Sequence, residues 1–151
     1  MPETDKLHLD RFVPYRLSVT SNAISDVIAG AYRTLFGLTV PEWRLITILA
    51  ARGRETQVGL GAATLMDKVT VSRASTALVG RGLVARAPNP QDGRSQFLSL
   101  TEIGRQLYGE VAPKALALET ELLSGFTAEE VSRLVDMLLR LERAAVRLQP
   151  V

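Results

Sequence analysis

The sequence predicts a mainly α-helical fold that carries one short β-hairpin. Apolar residues recur at three- and four-residue steps along most of the 151 residues, which is the period of an amphipathic helix. Residues 39–42 and 127–130 both have the Thr-x-x-Glu spacing of a helix capping box. By contrast, residues 96–100 alternate polar and apolar side chains as a strand does, directly after a turn-forming stretch with Pro90 and Gly93.

Composition narrows the class of protein. Hydrophobic residues make up 46% of the chain, enough to bury one core, so residues 1–151 are expected to form a single domain. The absence of cysteine excludes disulfides and cysteine-ligated metals, and no residue cluster indicates catalysis, so neither an enzyme, a metal site nor a cofactor is expected. Without an apolar run of ~20 residues or an apolar signal region, a cytoplasmic protein with no membrane contact is expected.

Three helices are predicted in the first 65 residues. The first covers residues 9–35, with Pro14 in its first turn and Gly37 at its end. The second covers residues 39–53, and its predicted buried stripe is Trp43, Ile46, Leu49 and Ala50. The third is short and capped by Thr56, and its two glycines cost about 2 kcal/mol relative to alanine. Its predicted buried residues are Val58, Leu60, Ala63 and Leu65.

The helix that follows, residues 67–82, has an unusual outward face. Asp67 can cap this helix, and Val71, Ala74, Leu78 and Val79 form its predicted inner stripe. Its other face has short polar side chains and one arginine but no carboxylate, which phosphate would repel. Hydroxyl groups and a guanidinium can instead donate hydrogen bonds to base edges and phosphates in a major groove. The residues of this predicted DNA-binding face are Thr70, Ser72, Arg73, Ser75 and Thr76.

Two short strands, residues 83–87 and 96–100, are predicted to form a hairpin with Arg94 near its tip. The order helix, short helix, turn, polar-faced helix and hairpin predicts a winged helix-turn-helix lobe at residues 39–101. We expect Arg94 to reach the DNA backbone or minor groove, with Asp92 holding its guanidinium and Gly93 permitting a tight turn. The alternative is an ordinary surface ion pair, worth at most ~1 kcal/mol.

The charge distribution favours the same lobe as the DNA-binding part. Residues 43–105 carry nine Lys or Arg and four Asp or Glu, a net charge of +5. Because the whole chain has a formal charge of +2, the two ends together carry −3. A basic centre between acidic ends is typical of a chain whose middle meets a polyanion, although an ordinary solvated surface gives the same count.

Several short motifs occur in one order: "SR" in the polar-faced helix, "GLV" before the hairpin, "DGRS" at its tip and "LTEIG" after it. Together they resemble the MarR-type transcriptional regulators, from about residue 9 to the C-terminus. The resemblance implies a homodimer, formed by helices in residues 8–36 and 102–148, that binds double-stranded DNA at palindromic operators. It implies repression or, less often, activation, and release by a small ligand, often an aromatic acid. The contacts it implies are those of Thr70, Ser72, Arg73 and Thr76, with Asp92 and Arg94 as the wing pair.

Two further expectations follow from the resemblance. Residues 59–63, "GLGAA", stand where the family usually has Glu-Leu-Ala, so a loosely packed lobe is expected. An arginine beside an indole can hold the carboxylate and ring of an aromatic acid, which makes Tyr15, Arg16, Trp43 and Arg44 candidate ligand residues. Alternatively, Trp43 belongs to the core and the arginines are solvated or paired. A winged-helix module that binds another protein is the alternative to a DNA-binding regulator.

Overall fold

The computed structural model describes residues 6–150 and has the predicted order of elements, with two additions. A 3-10 turn, Leu9–Arg11, precedes the first helix, and a two-residue strand precedes the third. The elements are α1 (Val13–Phe36), α2 (Val40–Arg52), β1 (Glu55–Thr56), α3 (Gln57–Thr64), α4 (Lys68–Gly80), β2 (Val84–Pro88), β3 (Gln96–Leu100), α5 (Glu102–Leu122) and α6 (Ala128–Leu148).

The chain divides into two compact units, one up to Val111 and one from Ala112 onwards, with the boundary inside α5. In the described residues, no single helix is long and apolar enough to cross a membrane. By length and composition alone α1 and α2 together pass that test, but a bend of 77° separates them.

Helix ends follow the sequence signals closely. The hydroxyl of Thr39 accepts a hydrogen bond from the Glu42 N–H (3.2 Å), and the Glu42 carboxylate accepts one from the Thr39 N–H (3.1 Å). The same reciprocal pair joins Thr127 and Glu130 at the start of α6. Both predicted capping boxes are therefore confirmed. Gly37 ends α1 in the left-handed region (φ 65°), as a terminating glycine should.

The cap of α3 explains why residue 59 of the glycine-rich stretch is a glycine. Thr56 accepts a hydrogen bond from the Gly59 N–H (3.1 Å), as predicted. In a capping box, a glutamate at position 59 would accept a hydrogen bond from the Thr56 N–H. Here the Glu55 carboxylate accepts that bond instead (2.9 Å). A Cβ on Gly59 would overlap that carboxylate, so the glycine leaves the space in which Glu55 completes the cap.

The core of the first unit lies between α2, α3, α4 and the sheet. Two predicted stripes need correction. In α2, Leu45 is buried (1% exposed), whereas Ala50 is exposed and Trp43 is half-buried. In α3, only Leu60 is fully buried, and Val58 is 81% exposed. Leu65 is exposed too, because the chain leaves the helix there in a left-handed conformation (φ 55°). The largest fully buried side chains of the first unit are Leu38, Leu45, Ile46, Leu49, Leu60, Val71, Ser75, Leu78, Leu98 and Val111.

The sheet has three strands rather than the two of the predicted hairpin, in the order β1-β3-β2. Both neighbours of β3 are antiparallel, with Glu55 opposite Leu98 and Val84 opposite Leu100. Two residues carry no periodicity, so β1 could not be recognised in the sequence. Through this pairing, the connection between α2 and α3 is hydrogen-bonded to the wing, which is the hairpin of β2, β3 and the loop between them.

The "LTEIG" motif fastens α5 to the lobe. The Thr101 hydroxyl donates to the Gly82 carbonyl (2.6 Å) and accepts from the Gly104 N–H (3.1 Å), which caps the start of α5. Gly104 is buried, and a Cβ there would overlap the Leu83 carbonyl oxygen. The motif therefore combines a cap with a close backbone approach that only glycine allows.

Candidate nucleic-acid interface

Helix α4 is held in the lobe by its inner face, where Val71, Ala74 and Leu78 are buried. Ser75 lies on this same face, fully buried, and its hydroxyl donates to the Val71 carbonyl (2.7 Å). The prediction that Ser75 belongs to the outward face is therefore wrong. A serine that bonds its own helix backbone loses its polar character toward neighbours, so it can replace alanine in a core.

Thr70 is committed to the start of α4. The Asp67 carboxylate accepts hydrogen bonds from the Thr70 N–H (2.8 Å) and the Thr70 hydroxyl (2.9 Å). These two bonds hold the pKa of Asp67 below its usual value, so the carboxylate keeps its charge at the positive end of the helix dipole. In this arrangement Thr70 stabilises the helix start, and its hydroxyl proton is not free for a base.

Three predicted contact residues remain available on the outward face of α4. Arg73 and Thr76 are exposed and Ser72 is half-buried. Arg73 makes no hydrogen bond or ion pair within residues 6–150, so its guanidinium can turn toward a ligand. The face combines two hydroxyl groups with one planar fork of N–H donors, a set that matches base edges and phosphates.

The wing loop is built differently from the prediction. Asp92 accepts a hydrogen bond from the backbone N–H of Arg94 (3.0 Å), and no ion pair between the two side chains occurs in the described structure. Asn89 orders the same loop, since its side chain accepts from the Gln91 N–H and donates to the Ser95 hydroxyl (both 3.0 Å). Gly93 has no positive φ and no crowded Cβ position, so the turn does not require glycine. Asp92 thus shapes the loop backbone and leaves the exposed Arg94 side chain free of its carboxylate.

A cleft of about 720 Å³ lies between α3, the start of α4 and the wing. Lys68, Arg86 and Arg94 line it, and no Asp or Glu does. The Arg86 guanidinium also lies 3.5 Å from the Thr76 hydroxyl, which links strand β2 to the outward face of α4. Lys68 and Arg86 were missed as candidates from the sequence. The only available signal was the basic charge of the lobe, which identifies a region and not the side chains that meet in space.

The comparisons with known proteins agree with this geometry. A family model described as the MarR family matches residues 36–95. A solved structure of a MarR/EmrR family transcriptional regulator from Acinetobacter sp. ADP1 is similar over 94% of this chain and 100% of that one, at 25% identity and a TM-score of 0.86. The family-model match and this structural neighbour are both those of the MarR family.

Two curated relatives of this protein are the HTH-type transcriptional repressor IacR of Pseudomonas putida and the transcriptional activatory protein BadR of Rhodopseudomonas palustris. IacR is 30% identical over 67% of this chain and 60% of that protein. BadR is 33% identical over 70% of this chain and 62% of that protein. The match therefore spans less than two thirds of either relative. The matched family and both relatives are transcriptional regulators and not enzymes, and these matches support a DNA-binding regulator.

A second feature of the chain is an aromatic cluster around Trp43. The Trp43 ring stacks on Tyr108 of α5 (centroids 5.7 Å apart, planes at 18°) and meets Tyr32 of α1 at 5.5 Å. Tyr32 is buried, which raises the pKa of its phenol. Sequence reasoning missed both tyrosines because the apolar period of each helix, taken alone, gives no sign that three helices meet there.

The four candidate ligand residues do not come together in one chain. Tyr15 and Arg16 lie in the first turns of α1, exposed, and Tyr32 lies 17 residues further along the same helix. At 1.5 Å per residue this separation is about 25 Å, so Tyr15 and Arg16 cannot reach Trp43 within the protomer. Arg44 is exposed beside Trp43 in α2. The expected cluster is therefore corrected to Trp43 with Tyr32 and Tyr108.

Proposed function

We propose that this protein is a homodimeric transcriptional repressor that binds a palindromic operator and is released by a small aromatic acid. The observation that carries the proposal is the outward face of α4, with Ser72, Arg73 and Thr76, beside a wing that presents Arg94. Because its target is duplex DNA, the protein is inferred to act in the cytoplasm.

On DNA, α4 enters a major groove with Arg73 and Ser72 toward the bases and Thr76 near the backbone. The wing follows the adjacent backbone or minor groove, where negative potential favours the Arg94 guanidinium. Lys68 and Arg86 line the cleft between these two elements and neutralise phosphates there. Asp92 contributes indirectly, by fixing the loop from which Arg94 extends.

Dimerisation is supported by apolar surface that neither unit covers. Helix α6, all of whose residues are described, buries none of them. Along α1, only Tyr32 is buried. A monomer rarely exposes such continuous apolar faces, and a second copy of the same chain can cover both with matching surfaces. The exposed large residues are Val13, Tyr15, Leu17, Val19, Ile24, Val27 and Leu35 in α1, and Leu134, Val135, Met137, Leu138, Leu139, Leu141, Val146 and Leu148 in α6.

The symmetry of a dimer sets the form of the operator. Two copies of α4 read two half-sites, so the site is palindromic with centres about one helical turn apart (~10 bp). Repression follows if that site overlaps a promoter. The name of IacR describes a repressor and that of BadR an activator, so the sign of regulation needs its own measurement.

The aromatic cluster is the proposed ligand site. Trp43 and Tyr108 offer stacking faces, and the neighbouring Arg44 offers a guanidinium for a carboxylate. In the dimer, the α1 of the second copy supplies Tyr15 and Arg16, which the protomer's own α1 cannot bring to Trp43. A ligand releases DNA only if it binds the DNA-incompetent arrangement more tightly, because equal affinity for both arrangements shifts nothing.

Footprinting of the purified dimer on its own upstream DNA tests the operator, and in vitro transcription from the footprinted promoter gives the sign of regulation. Arg73→Ala should cost about 1–3 kcal/mol of binding free energy if Arg73 reads a guanine, with relaxed specificity at that position. Arg133→Ala in α6 removes the same charge elsewhere and is the control. Equal affinity of Arg73→Ala and wild type would contradict the proposed contact. Binding of a protein partner without any DNA affinity would favour the protein-interaction module.

The ligand hypothesis is tested with the single tryptophan. Titration with salicylate and related aromatic acids should quench Trp43 fluorescence and, over the same concentrations, lower the anisotropy of labelled operator. Arg16→Ala should weaken both signals if the second copy supplies it, whereas Arg11→Ala on the preceding turn should not. Quenching without DNA release would mean that the ligand binds but does not regulate DNA binding. If no acid of the panel gives either signal, the ligand proposal is wrong.

A further inference from the structure

We infer that Val69, near the start of α4, recognises the C5-methyl group of a thymine in each operator half-site. The inference rests on the proposed DNA-binding function and adds an apolar base contact to its polar ones. Val69 is the second residue of α4 and is 57% exposed, although its side chain is entirely apolar.

Val69 lies on the DNA-facing side of the helix. Arg73 follows it by four residues and Thr76 by seven, and residues at these spacings share one helix face. The buried residues Val71 and Leu78 occupy the opposite side. When α4 enters a major groove with Arg73 inward, Val69 enters it as well, one turn closer to the N-terminus. The N-terminal residues of a recognition helix are those that contact base edges.

The two residues next to Val69, Lys68 and Thr70, have other roles. The N–H and hydroxyl of Thr70 both donate to Asp67, so Thr70 fixes the helix start. Lys68 lines the cationic cleft toward the wing, together with Arg86 and Arg94. The first turn of α4 therefore presents the apolar side chain of Val69 to the floor of the groove, while Thr70 is bonded to Asp67 and Lys68 lines the cleft.

The chemistry of the groove selects the base. Thymine presents a methyl group in the major groove, whereas guanine, adenine and cytosine present donors and acceptors. Valine against a methyl group removes apolar surface of both from water. Valine against a polar base edge would leave that edge desolvated without a partner, which is costly. Val69 should thus favour thymine at one position per half-site, next to the position that Arg73 reads.

Deoxyuridine isolates this contact, because it differs from thymidine only by the methyl group. Each thymine of the footprinted operator is replaced in turn, and wild-type affinity is measured by anisotropy. One position per half-site should weaken binding about fourfold, and replacement in both half-sites about 15-fold, as expected for one buried methyl group each. Alanine has a higher helix propensity than valine, so Val69→Ala should keep α4 intact. In this variant the ratio of affinities for the thymine and deoxyuridine operators should be close to one. Ile103→Ala, at a similarly exposed apolar residue (60%) of α5, should leave it unchanged.

The outcomes separate this inference from the function on which it rests. If wild type binds the operator but no thymine is sensitive to loss of its methyl, the assignment of Val69 is overturned and DNA binding stands. The same holds if the sensitivity persists in Val69→Ala. If wild type binds no specific DNA at all, the proposed function fails together with the inference.

Discussion

The winged lobe and the last helix differ in how far their apolar side chains are exposed. In the lobe, Leu45, Leu60 and Leu98 are at most 1% exposed, so α2, α3 and the sheet close on a core of their own. In α6, Leu134 and Leu138 are 37% and 41% exposed although the helix is strongly two-sided. The difference indicates that the lobe is complete within one chain, whereas α6 is built for a surface that the chain alone does not provide.

The two regions also differ in how their ends are fixed. Side chains of the lobe form hydrogen bonds with residues far away in the sequence, as when the Arg81 guanidinium donates to the carbonyls of Phe36 (3.2 Å) and Gly37 (3.0 Å) at the end of α1. This contact caps the carbonyl end of α1 with a cation and ties it to the end of α4. Among residues 6–150, the side-chain hydrogen bonds at the start of α6 are those of its own capping box. Stability of the lobe should therefore depend little on protein concentration, and order in α6 should depend on it strongly.

The largest expected effect comes from Leu138→Glu, which places a charge in the apolar face of α6. Burying that charge in a dimer would cost several kcal/mol, so the variant should sediment as a monomer. Its operator affinity should fall by about 100-fold or more, because two linked half-site contacts become single ones. Far-UV circular dichroism should still show a folded lobe. Arg140→Glu, in the same helix at an exposed polar position, is the control, and a dimeric Leu138→Glu variant would refute this use of α6.

Substitutions in the wing should lower operator affinity less than Leu138→Glu does. Arg94→Ala should weaken operator binding by about 1.5 kcal/mol, roughly tenfold, if its guanidinium bonds a phosphate or base. Asp92→Ala should weaken binding less, because it loosens the loop but leaves the arginine. Asp92→Asn keeps a side-chain oxygen that can accept from the Arg94 N–H, so its affinity should stay close to wild type.

The comparison of Asp92→Asn with Asp92→Ala decides between two roles for the aspartate. If the carboxylate instead held the guanidinium by charge, the two variants would lose the same affinity. Tighter binding by both would mean that Asp92 acts only as a negative charge near phosphate. Titrations at two salt concentrations add a second readout, since only loss of the Arg94 contact should reduce the salt dependence.

The sequence was a reliable guide where the signal is local. Helix order, the two capping boxes and the terminating Gly37 follow from neighbours within four residues, and the structure confirms them. The outward exposure of Arg73 followed from helix period alone. Strand β1 was missed because pairing with β3, more than 40 residues later, makes it a strand.

The sequence was a poor guide where a side chain has two possible partners. Ser75 has the composition of a surface residue but bonds its own helix and is buried. Asp92 and Arg94 have the spacing of an ion pair, yet the carboxylate takes the backbone N–H instead. The Trp43 cluster depends on how α1, α2 and α5 cross, which no single helix pattern contains.

The smallest expected effect separates two glycines of α3 that look alike in the sequence. Gly61→Ala places a Cβ at ordinary contact distance, 3.6 Å from the Met66 carbonyl and 3.9 Å from Val71. It should stabilise the lobe by about 0.5–1 kcal/mol through helix propensity. Gly59→Ala gains the same propensity but displaces the Glu55 carboxylate. It thereby loses the bond to the Thr56 N–H and the 3.1 Å pair with Arg52, so its net effect should be zero or destabilising.

A double-mutant cycle assigns that difference to Glu55. In a Glu55→Ala background the displaced carboxylate no longer exists, so Gly59→Ala should stabilise as much as Gly61→Ala does. Thermal unfolding at fixed protein concentration measures all four variants, with a shift of about 2–4 °C expected per kcal/mol for a chain of this length. If Gly59→Ala destabilised equally with and without Glu55, the cost would lie in the α3 backbone. The glycine would then serve helix geometry and not the cap that Glu55 completes.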